Sequence, residues 1–289
     1  MEISSLTPQE HFTRVTSCPD SELNLAAASL YAAAEEHPGL DVIAYQGRVA
    51  QLGMRVKSRI GGHYTSYDFV TAMHEVLFEE SEFRGETKNY FDPHYSHLNV
   101  VIDKLRGNPI VLSILYIEVA RTVGVKVDGI SLGKHFVVGI GTGAERLYVD
   151  PYHSGGLLSR KECIVSMVGS KKIGIADYEN LERTLLKPVT KRAMLRRLLS
   201  NLKVAHEKQK QYELALSASE RIQLLDPSSL RNLSELAHLQ TKVGNFGDAV
   251  NSLTQFLERA PAGSNTEQAE SALRKLKEWA ARDPEKSDN

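Results

Sequence analysis

The sequence predicts an α+β protein with a helical N-terminal region, a central helix packed on an antiparallel sheet, and α-helical hairpins at the C-terminus. Three observations predict this class. Residues 1 to about 90 place apolar side chains at helical spacing. Residues 90 to 175 hold one long apolar run and then short β-type runs between glycines. Residues 185 to 282 carry a repeat with a period of 34 residues.

In the N-terminal region the sequence predicts three helices, separated by residues that end helices. Asp20 is the expected N-cap of the first, because an aspartate carboxylate accepts a hydrogen bond from a free backbone N–H. The His-Pro-Gly run at 37–39 ends that helix, and Asp41 caps the second. The glycine pair at 61–62 ends the second helix, and Ser66 to Glu80 forms the third.

The central region predicts a helix followed by a small sheet. Asn108 is a preferred N-cap, and Pro109 suits the first helical position because the N–H that it lacks would be unpaired there. The helix runs to about Val123, and Gly124 ends it. Three β-type runs follow, and they are expected to pair antiparallel and to pack on the helix. The runs are Val125 to Ser131, His135 to Ile140 and Arg146 to Asp150. Leu158 to Val168 predicts a further helix.

The C-terminal repeat is typical of tetratricopeptide (TPR) units, in which an aromatic residue, an alanine and a closing proline recur every 34 residues. The matched pairs are Leu202 and Leu236, Tyr212 and Phe246, Ala215 and Ala249, and Pro227 and Pro261. Helices at Lys191–Ser200 and Glu267–Ala281 are expected to cap the stack. The expected domains are residues 1–180 and 185–282, followed by a frayed polar tail at 283–289.

Composition excludes several classes of function. The net charge is -1 and the pI about 6.8, so no global basic field attracts nucleic acid. No apolar stretch approaches the roughly 20 residues that span a bilayer, so no membrane association is expected. Two cysteines give no disulfide framework, and the N-terminus lacks the pattern of a secretion signal. We therefore expect a cytoplasmic protein.

A possible site for chemistry lies between the central helix and the sheet. His135 and Asp150 stand fifteen residues apart, in the order of the base and its orienting acid in Cys-His-Asp enzymes. In such enzymes the cysteine lies in the first turn of a buried helix, where the helix dipole lowers the thiol pKa. Here that position is Pro109, twelve residues before Arg121 near the helix end. Proline has no nucleophile, so the expected triad is degenerate.

Together these segments resemble the SirB-type proteins, in which a core similar to papain and transglutaminase precedes C-terminal TPR repeats. The matching segments are Tyr90 to Pro93, Leu98-Asn99, Arg106 to Ile110, Ser113, Tyr116 to Arg121, Gly124, His135-Phe136, Asp150-Pro151, Gly155-Gly156 and Leu158. The resemblance spans roughly residues 40 to 265, and it implies a transglutaminase-like α+β centre between helical ends. Lys134 departs from the pattern, because Pro-Gly-His is usual where Gly133-Lys134-His135 stands.

Three other residues are candidates to replace the missing nucleophile. Ser113 lies one helical turn after Pro109, but small polar residues in buried helices more often bond a carbonyl. Cys18 lies in a helix break and Cys163 inside a predicted helix, where a packing role is the ordinary one.

Several histidines raise the alternative of a metal site. His94, His97 and His153, together with His135 and Asp150, offer nitrogen and oxygen ligands for zinc. The chain has no HExxH or CxxC pattern, and dispersed histidines are usually surface or packing residues. The sequence therefore predicts no metal and no cofactor.

Two functions remain open. The first is a non-catalytic transglutaminase-like pseudoenzyme, in which the TPR repeats, and also a cleft in the core, bind a protein or peptide. In this interpretation His135 and Asp150 pin strands or shape the cleft. The second is a hydrolase or acyl transferase with a non-cysteine nucleophile, His135 as base and Asp150 as orienter. Pro109 favours the first.

Overall fold

The computed structural model describes residues 6–89, 92–168, 175–263 and 266–282. The chain divides into two compact units, Met1–Leu198 and Leu199–Asn289. Helices dominate the described residues, and five strands form one antiparallel sheet, which confirms the predicted α+β class. Tyr90, Phe91 and the tail 283–289 lie outside the described residues.

The first unit contains most of the helices. They are α1 (Pro8–Thr16), α2 (Leu25–Ala33), α3 (Val42–Arg59), α4 (Ser66–His74), α5 (Leu98–Lys104), α6 (Pro109–Val123), α7 (Arg160–Val168), α8 (Ile175–Leu185) and the beginning of α9 (Lys191–Lys208). The predicted helix from Ser66 to Glu80 is present, but Glu75–Glu80 is π-helical. α9 extends to Lys208, beyond the predicted end at Ser200.

The prediction that Asp20 caps the first long helix is wrong. Asn24 caps α2, accepting from the backbone N–H of Ala27 at 2.9 Å. The Asp20 carboxylate instead accepts from the backbone N–H groups of Lys191 (3.0 Å) and Arg192 (2.8 Å), so it caps the start of α9. A cap contributed from so far away in the chain depends on tertiary structure, which local sequence patterns do not encode.

The sheet contains the three predicted strands and two more. Its strands are β3 (Val127–Leu132), β4 (His135–Ile140), β5 (Leu147–Asp150), β6 (Gly156–Leu158) and β7 (Pro188–Val189), in the order β6-β5-β4-β3-β7. A separate parallel pair joins β1 (Arg84–Gly85) to β2 (Arg106–Gly107). β6 and β7 were not predicted, because three- and two-residue strands are too short for an alternating pattern.

Helix α6 is the central element of the first unit, as predicted. Thirteen of its fifteen residues are buried, and it packs against α3, β3 and β4. The Asn108 side chain accepts from the backbone N–H of Val111 (3.0 Å) and donates to the Ser96 hydroxyl (2.6 Å). Gly124 ends the helix in the left-handed conformation (φ 90°), which glycine adopts without steric cost.

A second layer covers the sheet through α7 and α8. Its core cluster joins residues of three strands to both helices: Ile130, Leu132, Val137, Tyr148, Cys163, Ile164, Leu186 and, partly buried, Leu181. Full burial of an aliphatic side chain stabilises the folded state by roughly 1.5–3 kcal/mol. The sheet is therefore held by apolar packing at its centre.

The second unit is a stack of antiparallel helices. Besides the end of α9 it contains α10 (Tyr212–Leu225), α11 (Leu230–Val243), α12 (Phe246–Arg259) and α13 (Glu267–Arg282). The 34-residue repeat has equivalent structural positions: Tyr212 and Phe246 begin α10 and α12, and Ala215 and Ala249 are fully buried one turn later. Small alanines there allow neighbouring helices to pack closely. The predicted repeat is confirmed.

Burial of Cys163 leads to a prediction about thiol reactivity. Cys163 is inaccessible, and burial raises the pKa of its thiol to about 11, so it is protonated at neutral pH. Cys18 is half-buried. In the native protein a maleimide should modify Cys18 first and Cys163 at least about tenfold more slowly, because the thiolate is the reacting form.

Mass spectrometry of peptides sampled over time measures both rates. Labelling in urea is the control, in which the two cysteines should react alike. Rapid native labelling of Cys163 would contradict the described packing.

Candidate functional site

The position of the expected nucleophile is the first turn of α6. Pro109 is buried there, directly after the Asn108 cap. Gly107, two residues earlier, pairs with Gly85 of β1, and Val101 and Leu112 leave no space for a Cβ atom at Gly107. Helix α6 thus begins in a closely packed environment, with the ring of Pro109 at its first position, as the sequence predicts.

The structure brings His135 and Asp150 together. His135 begins β4 and Asp150 ends β5, and His135 Nε2 lies 2.7 Å from Asp150 Oδ2. The His135 side chain is 24% exposed and that of Asp150 only 5%, so the ring has one solvent-facing side. In a neutral ring, donation from Nε2 leaves Nδ1 with a lone pair that can accept a proton.

A second histidine, His153, completes the cluster; the sequence offered it as a possible zinc ligand but not as a catalytic residue. His153 Nδ1 also lies 2.7 Å from Asp150 Oδ2, and the His135 and His153 ring centroids are 5.4 Å apart. The other carboxylate oxygen, Oδ1, accepts from the backbone N–H groups of Tyr152 (3.0 Å) and His153 (3.3 Å). One indication in the sequence that His153 lies near Asp150 is that it follows Asp150 by three residues, within one turn.

The electrostatics keep Asp150 ionised. Burial acts to raise its pKa, but the hydrogen bonds from His135 and His153 and the electrostatic interaction with both rings outweigh burial and lower the pKa below the ordinary value. Asp150 is therefore an acceptor for both rings at neutral pH. The arrangement orients His135, holds the turn after β5 and presents two imidazoles beside one carboxylate.

Strand β1 connects the start of α6 to this cluster. Gly85 pairs with Gly107 on one side, and its backbone N–H donates to the Tyr152 carbonyl (2.9 Å) on the other. The Tyr152 hydroxyl donates to the Glu86 carbonyl (2.6 Å), and its ring lies 5.7 Å from that of His135. A Cβ atom at Gly85 would lie 2.5 Å from the Tyr152 ring, so only glycine fits between them.

Ser113 and the two cysteines do not join the cluster. Ser113 is fully buried within α6, and among the described residues its hydroxyl has no hydrogen-bond partner. Cys163 belongs to the apolar cluster under the sheet, and the Cys18 thiol contacts the Val15 carbonyl (3.5 Å). A general base needs hydrogen-bond contact with its nucleophile, and among the described residues the His135 ring is hydrogen-bonded to Asp150 and to none of these three.

His94 and His97 lie in a different histidine group. His97 Nδ1 is 3.2 Å from His37 Nε2, and its Nε2 is 2.9 Å from Glu36 Oε1. The His94 and His97 rings are 6.3 Å apart. Of the five residues that the sequence offered for zinc, His135, Asp150 and His153 are the three whose ligand atoms converge.

Acid should weaken the contribution of Asp150 to stability. Because its folded-state pKa is lowered, the carboxylate stabilises the folded protein above its unfolded pKa of roughly 3.9, and this contribution disappears as the pH falls through the folded pKa. Asp150→Asn should lower the free energy of unfolding by about 1.5–3 kcal/mol at pH 7, the range for hydrogen bonds to a charged group.

Urea unfolding from pH 7 down to pH 3 measures this difference. The difference in free energy of unfolding between the variant and the natural protein should narrow below about pH 4, where an aspartate ordinarily becomes protonated. Asp92→Asn, at an exposed His–Asp pair, is the control and should change little. A gap that stays constant with pH would contradict an ionised Asp150.

Comparison with known families agrees with this architecture. Residues 43–200 match the transglutaminase-like superfamily, and residues 202–274 match the tetratricopeptide repeat. Within the described residues, no helix has both the length and the apolar character of a membrane span.

Similar sequences include UPF0162 proteins and F-box only protein 21. A UPF0162 protein of Xylella fastidiosa is 30% identical over 250 residues, which are 86% of this chain and 88% of that protein. A UPF0162 protein of Vibrio cholerae is 22% identical over 187 residues, 64% of this chain and 67% of the relative. Human F-box only protein 21 is 26% identical over 152 residues, which cover 50% of this chain but only 23% of that protein.

No solved structure matches the chain. The predicted combination of a transglutaminase-like core with TPR helices is confirmed by both family matches. The extent of the superfamily match and the near full-length similarity to the Xylella protein show that the chain belongs to the transglutaminase-like superfamily, among the UPF0162 proteins.

Proposed function

We propose that this protein is a SirB-type pseudoenzyme, a transglutaminase-like core without acyl-transfer activity, whose TPR helices bind a protein or peptide in the cytoplasm. The observation that carries the proposal is Pro109, buried at the helix position where the chemistry needs a thiol. We further propose that residues 1–180 and 185–282 are its functional domains. Low cysteine content supports the location.

The loss of thiol chemistry follows from the surroundings of Pro109. A proline side chain neither attacks a carbonyl nor donates a hydrogen bond. The nearest substitute in sequence, Ser113, is fully buried one turn further into the helix. Cys163 has a raised thiol pKa, opposite to the direction that activates a cysteine. These three observations favour binding over bond cleavage.

Recognition by the second unit follows from its repeat. Stacked helix pairs bury their shared faces and present a continuous outer surface, which suits an extended peptide or a partner helix. On α11, the middle helix of the stack, Ser234 and His238 are exposed and lie one turn apart on one face. Asn251 and Gln255 occupy a similar exposed face on α12, the second helix of the same repeat.

These two faces permit a matched test in the full-length chain. Ser234→Glu with His238→Glu should abolish recovery of partners in affinity purification from the native cell, because two added carboxylates change the charge of the proposed binding surface. Asn251→Glu with Gln255→Glu adds the same charges to the other helix and should preserve recovery. Quantitative mass spectrometry of the captured proteins is the measurement. Identical partner sets for all three proteins would exclude this surface.

A second function is supported by one observation, the short His135–Asp150 hydrogen bond with the imidazole partly open to solvent. These residues would be base and orienter in a hydrolase or acyl transferase with a non-cysteine nucleophile. On our primary proposal, amide, ester and glutaminyl substrates give no turnover above background. If turnover occurs and His135→Ala lowers it by about 10²–10⁴-fold, the typical contribution of a general base, the second function holds. Ser166→Ala, at a surface-proximal helix position, is the control.

A further inference from the structure

Three potential metal ligands converge at one end of the sheet: His135 Nε2, His153 Nδ1 and Asp150 Oδ2. Each nitrogen lies 2.7 Å from the same carboxylate oxygen, and all three atoms lie within 4.8 Å of one another. We propose that this cluster binds one divalent transition-metal ion, with Zn²⁺ as the ion that the ligand set fits best. Such a metal site would be independent of the TPR surface.

The ligand types and spacing suit zinc. Imidazole nitrogen and carboxylate oxygen bind Zn²⁺ at about 2.0–2.2 Å, which in a tetrahedral site places ligand atoms roughly 3.3 Å apart. The present nitrogen–oxygen separations need to open by about half an ångström to reach that spacing. The ion would then occupy the position between the three atoms where the two N–H donors now point.

The side chains that must adjust are those with room to do so. His153 is 69% exposed and His135 24%, whereas Asp150 is nearly buried. Asp150 Oδ1 is held by the backbone N–H groups of Tyr152 and His153, which fixes the carboxylate and leaves Oδ2 for the ion. Such outer hydrogen bonds are a regular part of metal sites, because they orient the ligating group.

The protonation states of the two imidazoles also permit metal binding. Each neutral imidazole carries one proton, which can move to the ring nitrogen that faces away from Asp150, so that both inward nitrogens present lone pairs. Two neutral imidazoles and one carboxylate carry a single negative charge, which a divalent cation offsets. Three protein ligands leave one tetrahedral position on the exposed side for water. Because protons compete for the nitrogens, binding should weaken on acidification.

Another pair in the same unit provides a matched control. His94 Nδ1 lies 2.8 Å from Asp92 Oδ1 and the His94 ring is 61% exposed, so this is also an exposed histidine bonded to an aspartate. The described residues that converge with Asp92 include no second histidine. The pair has the local chemistry of His153–Asp150 without the third ligand, so it should not hold an ion tightly.

Zinc titration of the full-length, chelator-treated protein tests the inference. Isothermal titration calorimetry should give one Zn²⁺ per chain, and Co²⁺ should give the visible absorption of a tetrahedral site. His153→Ala should weaken Zn²⁺ binding by at least about 100-fold, since even loss of an outer-shell partner costs up to that factor. His94→Ala should leave affinity and stoichiometry unchanged.

The outcomes separate a metal site from a purely hydrogen-bonded cluster. Because His153 is exposed, its variant should still unfold cooperatively without metal, which checks folding. His135→Gln is the second ligand variant and should also abolish the Co²⁺ spectrum. No Zn²⁺ binding, binding that survives His153→Ala, or binding lost in His94→Ala would each overturn the proposal. Partner capture by the TPR surface is measured separately and is unaffected by these outcomes.

Discussion

Burial of helix α6 is the constraint on which the first unit depends. With thirteen of fifteen residues buried, the helix has almost no solvent-facing side, so other elements must surround it. One buried charge, Glu118, is compensated within this packing. Its carboxylate accepts from the backbone N–H of Leu25 (3.1 Å) at the start of α2 and from the Arg121 guanidinium (2.9 Å). A buried carboxylate would otherwise cost several kcal/mol, so these bonds fix where α2 begins against α6.

The same constraint explains why proline is tolerated where a nucleophile would stand. At the first helical position Pro109 loses no hydrogen bond, and its fixed φ favours the helical conformation. Asn108 is satisfied on both sides, by Val111 and by Ser96. The residues at this helix start therefore favour stability of a buried helix end. A proline at this position therefore keeps the buried helix start stable without supplying a nucleophile.

Sequence patterns predicted those parts of the structure that local physics determines. Asn108 and Gly124 marked the ends of α6 because capping and left-handed turns depend on single residues. The 34-residue repeat could be recognised because each TPR unit buries equivalent residues against its neighbour. The Asp20 cap on α9 was not predicted, because it depends on tertiary contacts. His153 was grouped with Asp150 only as a possible metal ligand, because its hydrogen bond to Asp150 depends on side-chain direction in a turn. His135 and Asp150 could be predicted as neighbours only through a resemblance to known enzymes.

The geometry of the His–Asp cluster is largely a product of folding. Gly155, at φ 72° in the turn after β5, lies so close to Phe78 that a Cβ atom there would be 2.4 Å from the ring. Phe78 in turn stacks on Tyr116 of α6, with ring centroids 6.4 Å apart. The turn that carries Asp150 is thus positioned by the core. A short His135–Asp150 distance is consequently expected whether or not the protein does chemistry.

Folding alone does not require the side chains of His135 and His153 to be exposed. A hydrogen bond that only pins two strands gains most when both partners are buried, because water weakens exposed polar contacts. His153 is mostly exposed, and His135 keeps one face open, while the Asp150 that joins them is buried. A buried carboxylate with two solvent-accessible imidazoles is the arrangement that the proposed metal site requires. The open side of this cluster, rather than its hydrogen bonds, is the reason to regard it as functional.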